Sequence, residues 1–388
     1  MTVPAGYDDV VLAVPVTVPY VRYSIKSAHW FLGGALAALL EGAKIPKARI
    51  DGLAMASLTL VPDTAVGLTQ HLGITVRWLD HVPMGGASGI VSIRRAARAV
   101  QSGDAEIVAC IAGDTNHPDS FRRNTSAFSQ FSQDAVYPYG SGGPNMSFAF
   151  LTAHYMQTHG AKREDFGKLC VAQRKNALKN PLALFKKPLT LEQYLDARIV
   201  ADPLRLFDCV MPCAGAEGFL VMRRASAEQL GLRYARLLGA IERHNAFADD
   251  PVQVRGGWAM DRDALYAQAG VGPQEVDFLQ AYDDYPVINV LQFEGLGFCR
   301  QGEGADFIRA NTFEADGSFP FNTSGGQLSV GQAGAAGGHL GITEAIRQLT
   351  GETAGARVAS ARHGVVSGFG MINYDRGVCS GAALLAAA

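Results

Sequence analysis

The chain has 388 residues, 48% hydrophobic and 18% charged, which suits a globular protein with two cores or one duplicated core and excludes intrinsic disorder. Its 34 basic and 36 acidic residues give a net charge of -2 without a long single-sign run, so neither a nucleic-acid footprint nor a polybasic membrane anchor is expected. The opening segment MTVPAGYDDVVLAVPVTVPY has acidic residues where a signal peptide needs basic ones. No apolar stretch reaches the roughly 18 residues of a membrane span, and a cytoplasmic protein is expected.

In chain order, Val10–Val16 reads as a buried strand, Trp30–Glu41 and Ile90–Gln101 carry helical period, and Ile107–Ala112 and Phe278–Ala281 again read as buried strands. Strands alternating with helices indicate an α/β fold around a buried sheet. The segments 85–114 and 337–364 share one pattern: a glycine turn, a helix ending at Ser102-Gly103 or Thr350-Gly351, then a strand. That pattern suggests internal duplication.

Between the halves, residues 115–216 have a different texture. SFRRNTSAFSQFSQDAVYPYGSGGPNM is polar, aromatic and glycine-rich, and the prolines of ALKNPLALFKKPLTLEQYLDARIVADPLRL prevent long helices. An insertion of loops and short helices over the sheet is expected, and long ordered excursions of this kind carry binding function. The six cysteines, at 110, 170, 209, 213, 299 and 379, are too sparse for a disulfide scaffold. Cys209 and Cys213 lack a second Cys/His pair at ligand spacing, so reduced core thiols are expected and a metal is not.

Four blocks in the chain resemble a known family. QAYDDYPVINVLQFEGLGFC (280–299) is similar to the stretch of sterol-carrier-protein-type thiolases that reads His-Asp-Cys-Phe and runs into a helix, and NTSGGQLSVGQAGAAGG (322–338) to their Asn-x-Ser-Gly-Gly loop. GGASGIVSIRRAARAVQSGDAEIVACIAG (85–113) resembles the nucleophile helix and following strand, and NALKNPLALFKKPLT through DPLRLFDC (176–209) the covering loop domain. The blocks keep family order over nearly the whole chain, and they suggest the thiolase superfamily, in the lipid-transfer-protein-like aldolase branch that lacks the nucleophilic cysteine.

The resemblance implies two βαβαβαββ halves in a five-layer αβαβα sandwich, 1–235 with the insertion and 236–388. It also implies a homodimer core and a coenzyme A thioester as substrate, with no bound cofactor. A small OB-fold/zinc-ribbon partner protein is implied as well.

A thiolase needs a cysteine thiolate at a helix N-terminus to carry the acyl group. The matching position holds Gly86, followed by Ala87, Ser88 and Gly89. Ser88 nearby either caps and packs the helix start or acts as a nucleophile, and the N-cap preference favours capping. The family histidine becomes Gln332, whose amide can donate to an oxyanion but cannot shuttle a proton. The second thiolase cysteine falls near Val366, and Cys379 belongs to the final strand.

The residue that opens the His-Asp-Cys-Phe motif becomes Tyr282, followed by Asp283, Asp284 and Tyr285. Tyr282 is a proton donor, or a base if its surroundings lower its pKa; otherwise it packs at a strand end. His339 opens a helix, whereas His363 stands at a strand end before a glycine loop, where its ordinary pKa near 6.5 would serve acid–base work. Arg362 beside it could instead be a phosphate or partner contact. Backbone amides at Ser324, Gly325, Gly326, Gly368 and Gly370 could form oxyanion holes, and the same glycines could serve turns and tight packing alone.

Catalytic roles are therefore expected for Tyr282, His363, Gln332 and Asp283, and substrate contacts for Gly86, Ser88, Ser324, Gly325, Gly326, Gly368 and Gly370. The activity implied is retro-aldol carbon–carbon cleavage of an acyl-CoA without an acyl-cysteine. The alternatives are a non-catalytic thiolase-like subunit of a hetero-oligomer, or an acyltransferase whose nucleophile comes from elsewhere.

Overall fold

A computed structural model describes residues 6–117, 129–140 and 143–388, so the polar stretch 118–128 of the insertion lies outside the described residues. Nine strands form one sheet: β1 (Val10–Val21), β2 (Gly52–Ala56), β3 (Trp78–His81), β4 (Ile107–Asp114), β7 (Ala214–Arg223), β8 (Tyr234–His244), β9 (Phe278–Gln280), β10 (His363–Asn373) and β11 (Arg376–Ala387). A separate hairpin, β5 (Ile199–Ala201) and β6 (Leu204–Arg205), belongs to the insertion.

The spatial order is β3-β2-β4-β7-β1-β8-β11-β10-β9. From its outer edge, the first half runs third, second, fourth, fifth, first in sequence rank. The second half repeats that order, with the bridge between Leu279 and Phe321 in the third place. The halves meet where β1 pairs with β8 over Val11–Arg236, Leu12–Ala235 and Ala13–Tyr234.

Two helices, Ser88–Ser102 and Gly337–Thr350, touch strands of both halves and form the middle layer. Helices Ala28–Ala43 and Trp258–Ala269 cover the outer faces of the first and second half, which completes a five-layer αβαβα sandwich of duplicated halves. Burial on both faces explains why β2 and β4 are apolar almost throughout. The central helices approach so closely at their N-termini that a β-carbon on Gly89 would overlap the carbonyl of Gly338.

Both central helices end alike. Gly103 and Gly351 are left-handed, at φ 83° and 72°. The next amide, Asp104 or Glu352, bonds back to Ala99 O or Arg347 O at 2.9 and 2.8 Å. This is the same six-to-one closure in each half.

The structure differs from expectation at three elements. The insertion contains two 16-residue helices, Pro144–His159 and Arg163–Leu178, because its prolines sit at the first position of one and beyond the end of the other. Residues 351–362 form a loop, and the strand begins only at His363. The run 364–370 is part of β10 and pairs with β11 throughout. No helix of the described residues is long and apolar enough to cross a membrane.

Candidate active site

The site lies at the carboxyl end of β9, where the chain turns through 281–285 before Pro286 starts a helix. Proline at that first helical position holds Tyr285 extended, at φ -143° and ψ 145°. Tyr282 is fixed at its backbone. Its N–H donates to Ser367 O at 3.2 Å, and its carbonyl accepts from Gln292 Nε2 at 2.7 Å. The Gln292 side chain is in turn oriented by Ser367 Oγ at 2.6 Å.

The ring of Tyr282 lies against the turn before the first central helix. A β-carbon at Gly86 would overlap this ring and also the carbonyl of Phe369. The aromatic ring thus fills the space into which a side chain at Gly86 would project.

The Tyr282 hydroxyl donates to Asp284 Oδ2 at 2.7 Å. Gln332 Nε2 donates to Asp284 Oδ1 at 3.1 Å and reaches the Tyr282 oxygen at 3.4 Å. Burial, then the neighbouring Asp284, hold the phenol well above its ordinary value. Sequence reasoning allowed for a lowered pKa, and the surroundings do the opposite. Burial also pushes Asp284 up to about 7, against the lowering effect of its bonds from Tyr282 and Gln332.

Gln332 is held from both sides of its backbone by the last residues of the insertion. Its N–H donates to Met211 O and its carbonyl accepts from Cys213 N, each at 2.9 Å. The loop beyond it is anchored by Asp114, which accepts from Ala335 N at 2.7 Å as well as from Ser57 and Thr59.

The hydrogen bonds of Asp283 go elsewhere than to the Tyr282 hydroxyl. Its carboxylate accepts from Gln327 N at 2.8 Å, Leu328 N at 3.3 Å and the Gln173 side chain, so it closes the start of helix Gly326–Val330. Ser324 and Gly325 lie on the turn before that helix. The carbonyl of Ser324 accepts from Asn180 Nδ2 at 3.0 Å, and Gly325, at φ 108°, lets the turn pass beside Ala177. A β-carbon at Gly326 would overlap Asp283.

Ser88 is fully buried, with its hydroxyl bound to Val82 O at 2.8 Å and Met84 N at 3.1 Å. Gly368 and Gly370 face the same turn, where β-carbons would lie 2.8 Å from Gly86 O and 2.7 Å from Met84 O. These two glycines let the turn close against β10.

His363 is not brought to Tyr282, which corrects its expected place in the site. It stands at the start of β10 beside Asp277, five residues before Tyr282, about 16 Å along extended chain at 3.3 Å per residue. Its Nδ1 lies 3.2 Å from Glu275 O. Adjacency to a glycine run suggested a loop that could fold back, but a continuous strand carries His363 to the opposite end. His339, in the second central helix, is fully buried against Phe219, and burial holds its imidazole down to about 3.

Sequence reasoning missed Asp284 and Asn145. Asn145 accepts the Tyr285 hydroxyl at 2.7 Å, and Phe148 stacks on the Tyr285 ring at 4.5 Å, so the insertion helix forms one wall of the site. The neighbouring thiol, Cys209, is 3.9 Å from Asn145 Oδ1, and burial pushes it up to about 12. Such a thiol holds almost no thiolate at neutral pH. Among the described residues, no group of three or more His, Cys, Asp or Glu could hold a metal.

Residues 240–379 match the family described as Thiolase C-terminal domain-like. The 17-hydroxy-3-oxo-4-pregnene-20-carboxyl-CoA lyase of Mycobacterium tuberculosis is 30% identical, over 84% of this chain and 88% of that protein. The steroid side-chain-cleaving aldolase of Thermomonospora curvata is 31% identical, over 82% and 84%. The solved Ltp2-ChsH2(DUF35) aldolase superposes with a TM-score of 0.84 at 26% identity, over 98% of both chains. An acetyl-CoA acetyltransferase from Syntrophomonas wolfei shares the fold at a TM-score of 0.71 and 17% identity, over 98% of this chain and 99% of that one. With relatives at 30–31% identity along most of its length, the chain belongs to the thiolase superfamily, in the branch of the sterol-carrier-protein-like aldolases.

Proposed function

We propose that the chain is an acyl-CoA carbon–carbon lyase. It splits a β-hydroxyacyl-CoA by retro-aldol chemistry into a carbonyl compound and a shorter acyl-CoA, with no acyl group carried on cysteine. The observation that carries this reading is the Tyr282 ring over Gly86: the space of a nucleophile holds a proton-transfer group instead. Retro-aldol cleavage needs a group to take the β-hydroxyl proton and donors for the enolate that forms at the thioester. Tyr282 supplies the first; for the second, the Gln332 amide keeps one N–H on Asp284 and can turn the other, which reaches the Tyr282 oxygen only at 3.4 Å, toward the enolate.

The relatives named as a carboxyl-CoA lyase and a side-chain-cleaving aldolase support the same reaction class here. A DUF35 protein of OB-fold and zinc-ribbon type is the proposed partner, by analogy with the Ltp2-ChsH2(DUF35) aldolase. A homodimer divided near residue 235 of each chain, acting in the cytoplasm, completes the proposal. The test is to offer β-hydroxyacyl-CoA thioesters to the purified chain, alone and with its partner, and to trap released aldehyde or ketone. Absence of any carbonyl product in both preparations rejects the lyase.

A further inference from the structure

Resting on that reading, we infer that Asp284 receives the proton released in the bond-breaking step, with Tyr282 passing it on. The direction of the hydrogen bonds carries the argument. A phenol has one proton, and in Tyr282 it is committed to Asp284 Oδ2 at 2.7 Å. The phenol oxygen therefore offers lone pairs to the site, where a substrate hydroxyl can donate. Gln332 cannot be the acceptor, because it meets both groups through its Nε2 donor.

Tyr282 cannot work as a phenolate either, since its pKa is raised by burial and by Asp284. It can take a proton only while giving up its own. In the step inferred, the β-hydroxyl proton moves to Tyr282 Oη as the tyrosine proton moves to the Asp284 carboxylate. The carbon–oxygen bond becomes a carbonyl, the bond between the α- and β-carbons breaks, and its electron pair moves onto the thioester as an enolate. The proton held on Asp284 returns through Tyr282 to the α-carbon, which gives the shorter acyl-CoA and balances the reaction.

The groups around Asp284 suit an acceptor that must also release. Tyr282 and Gln332 bind it, and Asp283, Tyr285 and Cys209 are close enough for its charge to act on them. Gln332 Nε2 pins its other oxygen, so the carboxylate keeps one lone-pair face toward the tyrosine. Its position near 7 leaves it partly ionised at neutral pH, able both to accept and to return a proton.

The experiment compares Asp284→Asn and Asp284→Glu with wild type in the enzyme with its partner. Asparagine keeps an oxygen for the Tyr282 hydroxyl but has no affinity for its proton. Asp284→Asn is expected to lower kcat by about 10²–10³-fold and to abolish the rise of kcat/KM through about pH 7, with a thermal midpoint equal to wild type or higher. Asp284→Glu should recover part of the rate and keep the rise.

Infrared difference spectra of the resting protein add a readout that does not depend on turnover. Burial raises Asp283 and Glu217 to about 7 as well, so the readout is the difference between the two proteins: the wild-type signal near 7 should lose one carboxyl in Asp284→Asn while those of Asp283 and Glu217 remain. Turnover of Asp284→Asn within threefold of wild type, or an unchanged pH profile, overturns the inference. So do wild-type and Asp284→Asn spectra that show the same carboxyl signal near 7. If wild type releases no carbonyl compound while the carboxyl titrates as expected, the lyase reading fails and the coupled Tyr282–Asp284 pair stands.

Discussion

Gly86 and Tyr282 make one substitution in two parts. The turn before the first central helix, the Phe369 carbonyl and the tyrosine ring leave no room for a β-carbon at position 86. Gly86→Cys should therefore displace the ring and abolish cleavage without creating a thiolase, since Gln332 and Val366 stand where its acid–base groups would be. The expected loss of stability is about 1–3 kcal/mol, the usual cost of forced overpacking, read as a fall in thermal midpoint. A fully active, equally stable Gly86→Cys would show that the ring is mobile. Tyr282→Phe keeps the ring and removes only the proton-transfer oxygen, so kcat should fall about 10²–10⁴-fold with the midpoint nearly unchanged. Tyr285→Phe is the comparison, losing a bond to Asn145 worth about 1 kcal/mol and little rate. More than a third of wild-type turnover in Tyr282→Phe would make the residue a packing group. Motif order pointed to positions 86, 282 and 332, whose residues the fold brings together. It could not tell Asp283 from Asp284, because two adjacent carboxylates diverge only once Pro286 fixes the turn and the 326–330 helix claims one of them.

At the level of elements, the two central helices decide how far the halves can approach. Their shared glycine C-caps were readable as Ser102-Gly103 and Thr350-Gly351, because a left-handed end leaves a mark in the sequence. The identity of β10 was not, since glycines that permit a loop equally permit a strand to press against the 84–87 turn. His363 was misplaced with it. His339, inside the second central helix, is the price of this packing: its ring is fully buried, and burial outweighs the weak approach of the Ala335 backbone to it. Its folded pKa, about 3, lies below the unfolded value of roughly 6.5. The neutral ring therefore contributes stability that is whole above about pH 6.5 and is lost as pH falls toward 3. His339→Leu should gain on wild type progressively between pH 7 and pH 4.5 in thermal denaturation. Parallel midpoints for the two proteins across that range would mean that the Ala335 backbone holds the imidazolium as well as water does.

Over the whole molecule, the strand order of the first half is repeated in the second. The α/β class followed from apolar runs alternating with helical period. The five layers followed only from the resemblance, because alternation does not say which helices lie between sheets. Long helices in the insertion escaped notice because the proline-rich 181–203 stretch dominated its composition, whereas the helical residues 144–178 precede it. The central claim is that this fold breaks a carbon–carbon bond without an acyl-enzyme. Intact-protein mass spectrometry during turnover of a β-hydroxyacyl-CoA, with released carbonyl measured in the same sample, tests it most directly. The account predicts carbonyl release and a shorter acyl-CoA while the mass of the chain stays unchanged; an acyl group accumulating on the chain in step with turnover would contradict it.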